Sequence, residues 1–145
     1  MKKKIKNLCI IPARIGSKRI KNKNIKSFFG KPIIEIAIKN IKQTGLFQDI
    51  YVSTDSTKIS KIAKKLGTKI HIRKRNLCKD NVGTLKVVNS VVKDLEKGLN
   101  FEKVCCIYPT SIFFTKKDLR DGFTKLKKNL DYVVSAAKFD HPIER

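Results

Sequence analysis

The chain has 145 residues and 16.6 kDa, enough for one domain around one core, and a 41% hydrophobic content places it among globular rather than disordered chains. Its 34 Lys and Arg against 12 Asp and Glu give a formal net charge of +22, so the expected partners are anions: nucleic acid, a membrane surface or a phosphorylated small molecule. The apolar run behind the basic N-terminus, Leu8 to Ile11, stops at Pro12-Ala13-Arg14, too short for a signal peptide or a membrane span, and a cytoplasmic protein is expected.

The first element is the strand Leu8-Cys9-Ile10-Ile11, a continuous apolar run of the kind found in central parallel strands. A basic loop follows. Pro32 then opens a helix at its first turn, with Ile33, Ile34, Ala37, Ile38 and Ile41 on one face and Gly45 at its end. Ile50 to Thr54 is the second strand, and Asp55 or Ser56 can cap a helix whose apolar face is Ile59, Ile62, Ala63 and Leu66. Lys69 to Ile72 is a short third strand. The polar loop Arg73 to Asn81 leads to a helix with Leu85, Val88, Val91, Val92 and Leu95 turned inward. Val104 to Tyr108 is a fourth strand, expected to be buried on both faces. A helix over Lys116 to Lys128, with Leu119, Phe123 and Leu126 inward, and a fifth strand, Tyr132 to Ser135, complete the series.

Strand and helix alternate with no linker or repeat, which predicts an α/β fold: a mostly parallel sheet between two helical layers, in one domain spanning 1–145. The chain stops at Arg145, just after that last strand and the turn-like His141-Pro142, so this domain is expected to be incomplete at its C-terminal end.

The positive charge is mostly Lys spread along the whole chain, the pattern of a solvated surface rather than a nucleic-acid stripe, which disfavours nucleic acid as partner and singles out Arg14, Arg19, Arg73 and Arg75. Cys9, Cys78, Cys105 and Cys106 form no CxxC pair, and three of them sit in apolar runs as small hydrophobes, in keeping with a reducing compartment. His71 and His141 are each alone and read as satisfied or surface residues, while Phe28, Phe29, Phe113 and Phe114 read as packing.

Ligands of open α/β sheets bind beyond the carboxyl ends of the strands. Three loops leave such ends here, Pro12 to Asn24, Ser53 to Asp55 and Pro109 to Ser111, and a fourth polar loop, Arg73 to Thr84, can reach the same edge. The first carries Arg14, Lys18, Arg19, Lys21 and Lys23, with Gly16 for close backbone approach and Ser17 and Asn24 as neutral hydrogen-bonding groups. That set suits a phosphate chain, which needs several donors making charge-assisted bonds. Neither GxxxxGK[ST] nor GxGxxG follows the first strand with the required spacing, which disfavours a P-loop and a dinucleotide-binding turn.

Read as a string, Ile10 to Ile25 (IIPARIGSKRIKNKNI) resembles the IPARGGSKRIPRKNI signature of the acylneuraminate cytidylyltransferases, which make CMP-activated nine-carbon acidic sugars from CTP. The resemblance continues in order through Phe29 to Pro32, Val52 to Asp55, Ile62 to Gly67 and Leu77 to Thr84. Cys105 to Thr110 is similar to a run of one branch, the pseudaminic acid cytidylyltransferases. It implies a Rossmann-like nucleotide-diphospho-sugar transferase fold, with CTP and a nonulosonic acid as partners and Mg²⁺ as cofactor. It also implies a homodimer when full length.

Position by position, the resemblance assigns Ala13, Arg14, Gly16, Ser17, Lys18, Lys23 and Asn24 to the phosphates, with Arg14 and Lys23 as catalytic cations. Arg73 and Thr84 take the cytosine and ribose end, and Tyr108 and Thr110 take the sugar. No metal ligand is assigned. Asp55 and Asp80 are the acids near the site, each equally suited to a cap or turn, and the family's metal carboxylates are expected beyond Arg145. Three positions depart from the pattern: Ile15 for its first glycine, Lys21 for its proline and Cys78 for a serine. Two alternatives stand beside the enzyme: a basic nucleic-acid-binding α/β module and a non-catalytic CTP-binding fragment.

Overall fold

The computed structural model of the protein describes residues 2–17, 19–127 and 129–138. Two compact units divide the chain, Met1–Ile112 and Phe113–Arg145. In the first, strands β1 (Lys3–Pro12), β4 (Asp49–Thr54), β5 (Lys69–Ile72) and β6 (Leu99–Cys106) form one sheet in the order β5-β4-β1-β6. Every pairing in it is parallel. A two-residue hairpin of β2 (Ser27–Phe28) and β3 (Lys31–Pro32) precedes the first helix.

Side chains alternate across β1, and that alternation builds the layers. Ile5, Leu8 and Ile10 cluster with Val91 on α3 (Thr84–Leu95), with Val88, Val92 and Leu95 packed around them. Cys9 and Ile11 point to the other face and are equally buried. That face needs the apolar stripes of α1 (Ile33–Thr44) and α2 (Thr57–Lys65), which bury Ile34, Ala37, Ile38 and Ile41, and Ile59 and Ala63. Helices α1 and α2 also pack on each other. The expected mostly parallel sheet covered by helices is what forms.

The local signals are met with small shifts. Pro32 is the N-cap of α1 rather than its first helical residue, and Gly45 closes that helix in the left-handed region at φ 65°. Ser56, not Asp55, caps α2 by accepting from the Ile59 N–H. Helix α4 (Lys116–Lys125), in the second unit, starts in a capping box between Thr115 and Asp118 and stops three residues earlier than its periodicity predicts. Leu119, Phe123 and Leu126 are half-buried rather than core.

Four expectations fail for physical reasons. Leu85 is 78% exposed, because at the second position of α3 its side chain precedes the stripe begun by Val87. Strand β6 pairs only with β1 among the described residues, so it is an edge strand, half-buried with Cys106 exposed, instead of buried on both faces. Phe29 and Phe113 are 89% and 82% exposed and do not pack as core. Residues 132–135 form no strand: among the described residues nothing pairs with them, and strand propensity without a ladder partner does not make a strand.

Candidate functional site

In register, Pro12 lies beside Ser53 and Thr54 beside Ile72, so β1, β4 and β5 end on one edge. The Ile107 N–H bonds the Ile10 carbonyl there too, bringing in the end of β6. The chain first builds outward through β4 and β5, then returns to place β6 on the other side of β1. The order reverses at β1, and the basic loop leaves from that strand, at the crevice where such sheets bind ligands.

The loop is held at four points. The Ala13 N–H donates to the Ser53 carbonyl (2.9 Å), carrying the ladder one residue past the strand. The Ile15 N–H donates to Asp55 Oδ1 (3.1 Å), and the Ser17 N–H to the Ile15 carbonyl (2.8 Å) in a tight turn. The buried Asn24 donates through Nδ2 to the Arg14 carbonyl (2.8 Å). Asn24 thereby fixes the main chain behind Arg14. Neither Ile15 nor Gly16 has a positive φ, so the isoleucine in place of glycine introduces no backbone strain. Lys18 lies outside the described residues, and Lys23 sits exposed on a single 3₁₀ turn, Lys23–Ile25.

Arg14 is clamped from across the sheet edge. Its Nη1 donates to the Cys78 carbonyl (3.0 Å) and its Nη2 pairs with Asp80 Oδ1, both in the loop between β5 and α3. Arg73 lies deeper, 6% exposed. Its backbone N–H donates to the Thr54 carbonyl (2.9 Å), its Nη2 to the Ser53 carbonyl (2.9 Å), and its Nε reaches Ser53 Oγ at 3.5 Å. Burial draws the Arg73 pKa below its ordinary value, and the nearby Arg14 charge adds to this, while Asp55 opposes it. Thr84 Oγ1, at the start of α3, shares a 2.6 Å hydrogen bond with the Tyr108 hydroxyl. Thr110 is exposed just beyond. A cleft of about 320 Å³ runs along the α2 side of the loop, lined by Ile15, Asn22, Ile25, Asp55, Ser56 and Lys58.

Among the described residues no group of three or more His, Cys, Asp and Glu is placed to hold a metal. Asp55 and Asp80 are both engaged within the protein, with the Ile15 amide and with Arg14. These residues do not make a Mg²⁺ site.

The structure thus gathers Arg14, Asn24 and Arg73 at one edge and joins Thr84 to Tyr108. Gly16, Ser17, Lys23 and Thr110 lie on the same strand-end loops without a bond to that cluster. Sequence reading missed Ser53 as the shared acceptor for Ala13 and Arg73, Asp80 as the partner of Arg14, and the bonding of His71 to Ser53 and Asp94. Asp80 falls 66 residues from Arg14, and no local pattern reports such a pair.

A parallel sheet that reverses at β1, with a clamped cationic loop at that strand's end, defines an open-sheet α/β protein of the class whose ligands bind beyond the carboxyl ends of the strands. Solved structures share this fold. One is a CMP:2-keto-3-deoxy-manno-octonic acid synthetase complexed with CTP, with a TM-score of 0.67 and 20% identity over 83% of this chain and 46% of that one. A cytidylyltransferase from Leptospira borgpetersenii has a TM-score of 0.66 and 18% identity, over 83% of this chain and 48% of that one.

The chain belongs to the cytidylyltransferase family, which it matches over residues 8–144. It is 38% identical to the pseudaminic acid cytidylyltransferase of Campylobacter jejuni, over 97% of this chain and 62% of that protein. It is 33% identical to the CMP-N,N'-diacetyllegionaminic acid synthase of Legionella pneumophila (90% and 57%) and 30% identical to an N-acylneuraminate cytidylyltransferase of Streptococcus agalactiae (95% and 34%). The chain therefore spans less than two thirds of the length of these relatives.

Proposed function

We propose that this chain holds CTP for a cytidylyltransferase reaction that activates a nonulosonic acid of the pseudaminic type, giving the CMP-sugar and pyrophosphate. One observation carries the reading: a cationic loop tied to Ser53 of β4, to Asp55 and to Asn24 presents Arg14 at the carboxyl end of β1, and the buried Arg73 is bonded to the same Ser53. The 38% identity to a protein named for pseudaminic acid supports the choice of sugar.

In this reading Arg14, Ser17, Lys18, Lys23 and the amide at Gly16 gather the triphosphate, while the Ala13 amide, already given to the Ser53 carbonyl, anchors the loop and Asn24 holds its shape. Arg73 and Thr84 take the cytidine end, and Tyr108 and Thr110 face the sugar. The sugar's anomeric hydroxyl oxygen bonds to the α-phosphorus as the α–β bridging bond breaks. Pyrophosphate leaves with the electron pair, and the hydroxyl proton passes to solvent. Such transfers depend on positioning and charge neutralisation, the work assigned to Arg14 and Lys23. Asp80 balances Arg14, and a triphosphate brings more negative charge than one carboxylate can.

Mg²⁺, a homodimer and a cytoplasmic location belong to the same proposal. Among the described residues, no helix is long and apolar enough to cross a membrane. The test supplies CTP, Mg²⁺ and either pseudaminic or N-acetylneuraminic acid and follows pyrophosphate. Release with pseudaminic acid in preference is expected. Preference for N-acetylneuraminic acid overturns the sugar assignment, and no release with either overturns the activity.

A further inference from the structure

Among the described residues, Ser53, His71 and Asp94 form a connected polar chain that is buried at its Ser53 and His71 end. Ser53 Oγ lies 3.2 Å from His71 Nδ1, and His71 Nε2 lies 3.1 Å from Asp94 Oδ2. Ser53 is on β4, His71 on β5 and Asp94 on α3, so the chain crosses from the sheet to the helix that covers it. The order Ser–His–Asp is that of a nucleophilic triad, but Ser53 is completely buried and no substrate atom can reach its hydroxyl.

The hydrogen bonds point elsewhere. Arg73 Nε donates toward Ser53 Oγ (3.5 Å), and Arg73 Nη2 donates to the carbonyl of the same residue (2.9 Å). An arginine has no acceptor, so the Ser53 hydroxyl must receive from Arg73 and give its own proton onward. His71 Nδ1 accepts that proton only when the ring carries its hydrogen on Nε2, and Asp94 fixes that tautomer by accepting from Nε2. All the donors then run in one direction, from Arg73 through Ser53 and His71 to Asp94. Asp94 is only partly buried and also lies within 4.0 Å of Lys74 and 3.6 Å of Lys97.

We infer that His71 and Asp94 are positioning residues for the nucleotide site: they lock the Ser53 hydroxyl in the orientation that receives Arg73 and so aim the buried guanidinium at the strand-end crevice. The inference rests on the proposed function, in which Arg73 takes the cytidine end while Arg14 and its loop take the phosphates. Asp94→Asn turns an acceptor into a possible donor to Nε2, which puts the ring hydrogen on Nδ1 and leaves the Ser53 proton without its acceptor. His71→Phe removes the relay and keeps an apolar ring in its place.

The experiment titrates CTP and inorganic tripolyphosphate separately into the unsubstituted chain, Asp94→Asn, His71→Phe and Asp94→Glu, with thermal unfolding of each. Both disrupting variants are expected to bind CTP about five- to tenfold more weakly while tripolyphosphate affinity stays unchanged. Asp94→Glu, which keeps the acceptor, is expected to recover most of the CTP affinity. Unchanged CTP affinity in both variants overturns the inference, and so does an equal loss for CTP and tripolyphosphate, which marks a structural role. If the unsubstituted chain binds no CTP, the function reading itself fails and takes the inference with it, a result distinct from either of these.

Discussion

At the scale of single residues, the site is a competition for one guanidinium. Arg14 is bonded to the Cys78 carbonyl and paired with Asp80, with side chains 28% and 39% exposed. A half-exposed pair of this kind is worth at most about 1 kcal/mol, so it restrains Arg14 without locking it. Asp80→Asn is therefore expected to tighten CTP binding by up to about fivefold, measured by calorimetry; weaker binding would give Asp80 a role in holding the ligand. Gly16 gives a second residue-level prediction. Its φ is not positive and an added Cβ would meet no protein atom within 4 Å, so the fold does not require glycine. Gly16→Ala should unfold at the same temperature yet bind CTP about tenfold more weakly, because the methyl group stands where a phosphate approaches the backbone. Undiminished affinity would move the phosphates away from Gly16. Arg14 and Asn24 were legible in the sequence because they lie in the basic loop that leaves the first strand, and Arg73 because it matches the pattern of the family the chain resembles. Asp80, Thr84 with Tyr108, and His71 with Asp94 were not legible as pairs, because each depends on how distant strands and helices come together.

At the scale of elements, helix stripes were readable and edges were not. The stripe Ile34, Ala37, Ile38 and Ile41 was visible as a period, whereas the half-burial of β6 follows from its place at the sheet edge, which a run of Val and Cys does not encode. The caps allow two tests. Ser56 is buried and its Oγ accepts from the Ile59 N–H, so Ser56→Ala should lower stability by about 1 kcal/mol in denaturant unfolding. A change within error would mean that α2 does not depend on its cap. In α4, the Thr115 backbone and side chain hold the Asp118 pKa below its ordinary value. A depressed carboxylate stabilises the fold above its unfolded pKa of about 3.9, and that contribution is lost as pH falls through the folded value. The protection factors of the first-turn amides of α4 should fall below about pH 4, and Asp118→Asn, which cannot titrate, should abolish that step. Protection unchanged across this range would show that the capping box does not hold the helix.

At the scale of the whole molecule, the sheet order β5-β4-β1-β6 matters most, because it turns a basic loop into a loop at a topological switch point. Alternating strand and helix patterns predicted a parallel sheet, but the order of strands, and hence the crevice, needed the structure. The net charge of +22 belongs to this scale too. If it were a nucleic-acid footprint, affinity for any duplex would fall steeply with salt and would not depend on one arginine. If the clamped loop is the site, one arginine decides. The measurement that separates them is a calorimetric titration of CTP into the chain and into Arg14→Ala at fixed salt. Saturable CTP binding that weakens at least about tenfold in Arg14→Ala is the predicted result. No CTP binding, or CTP binding untouched by the substitution alongside salt-sensitive binding of any nucleic acid, would contradict the account.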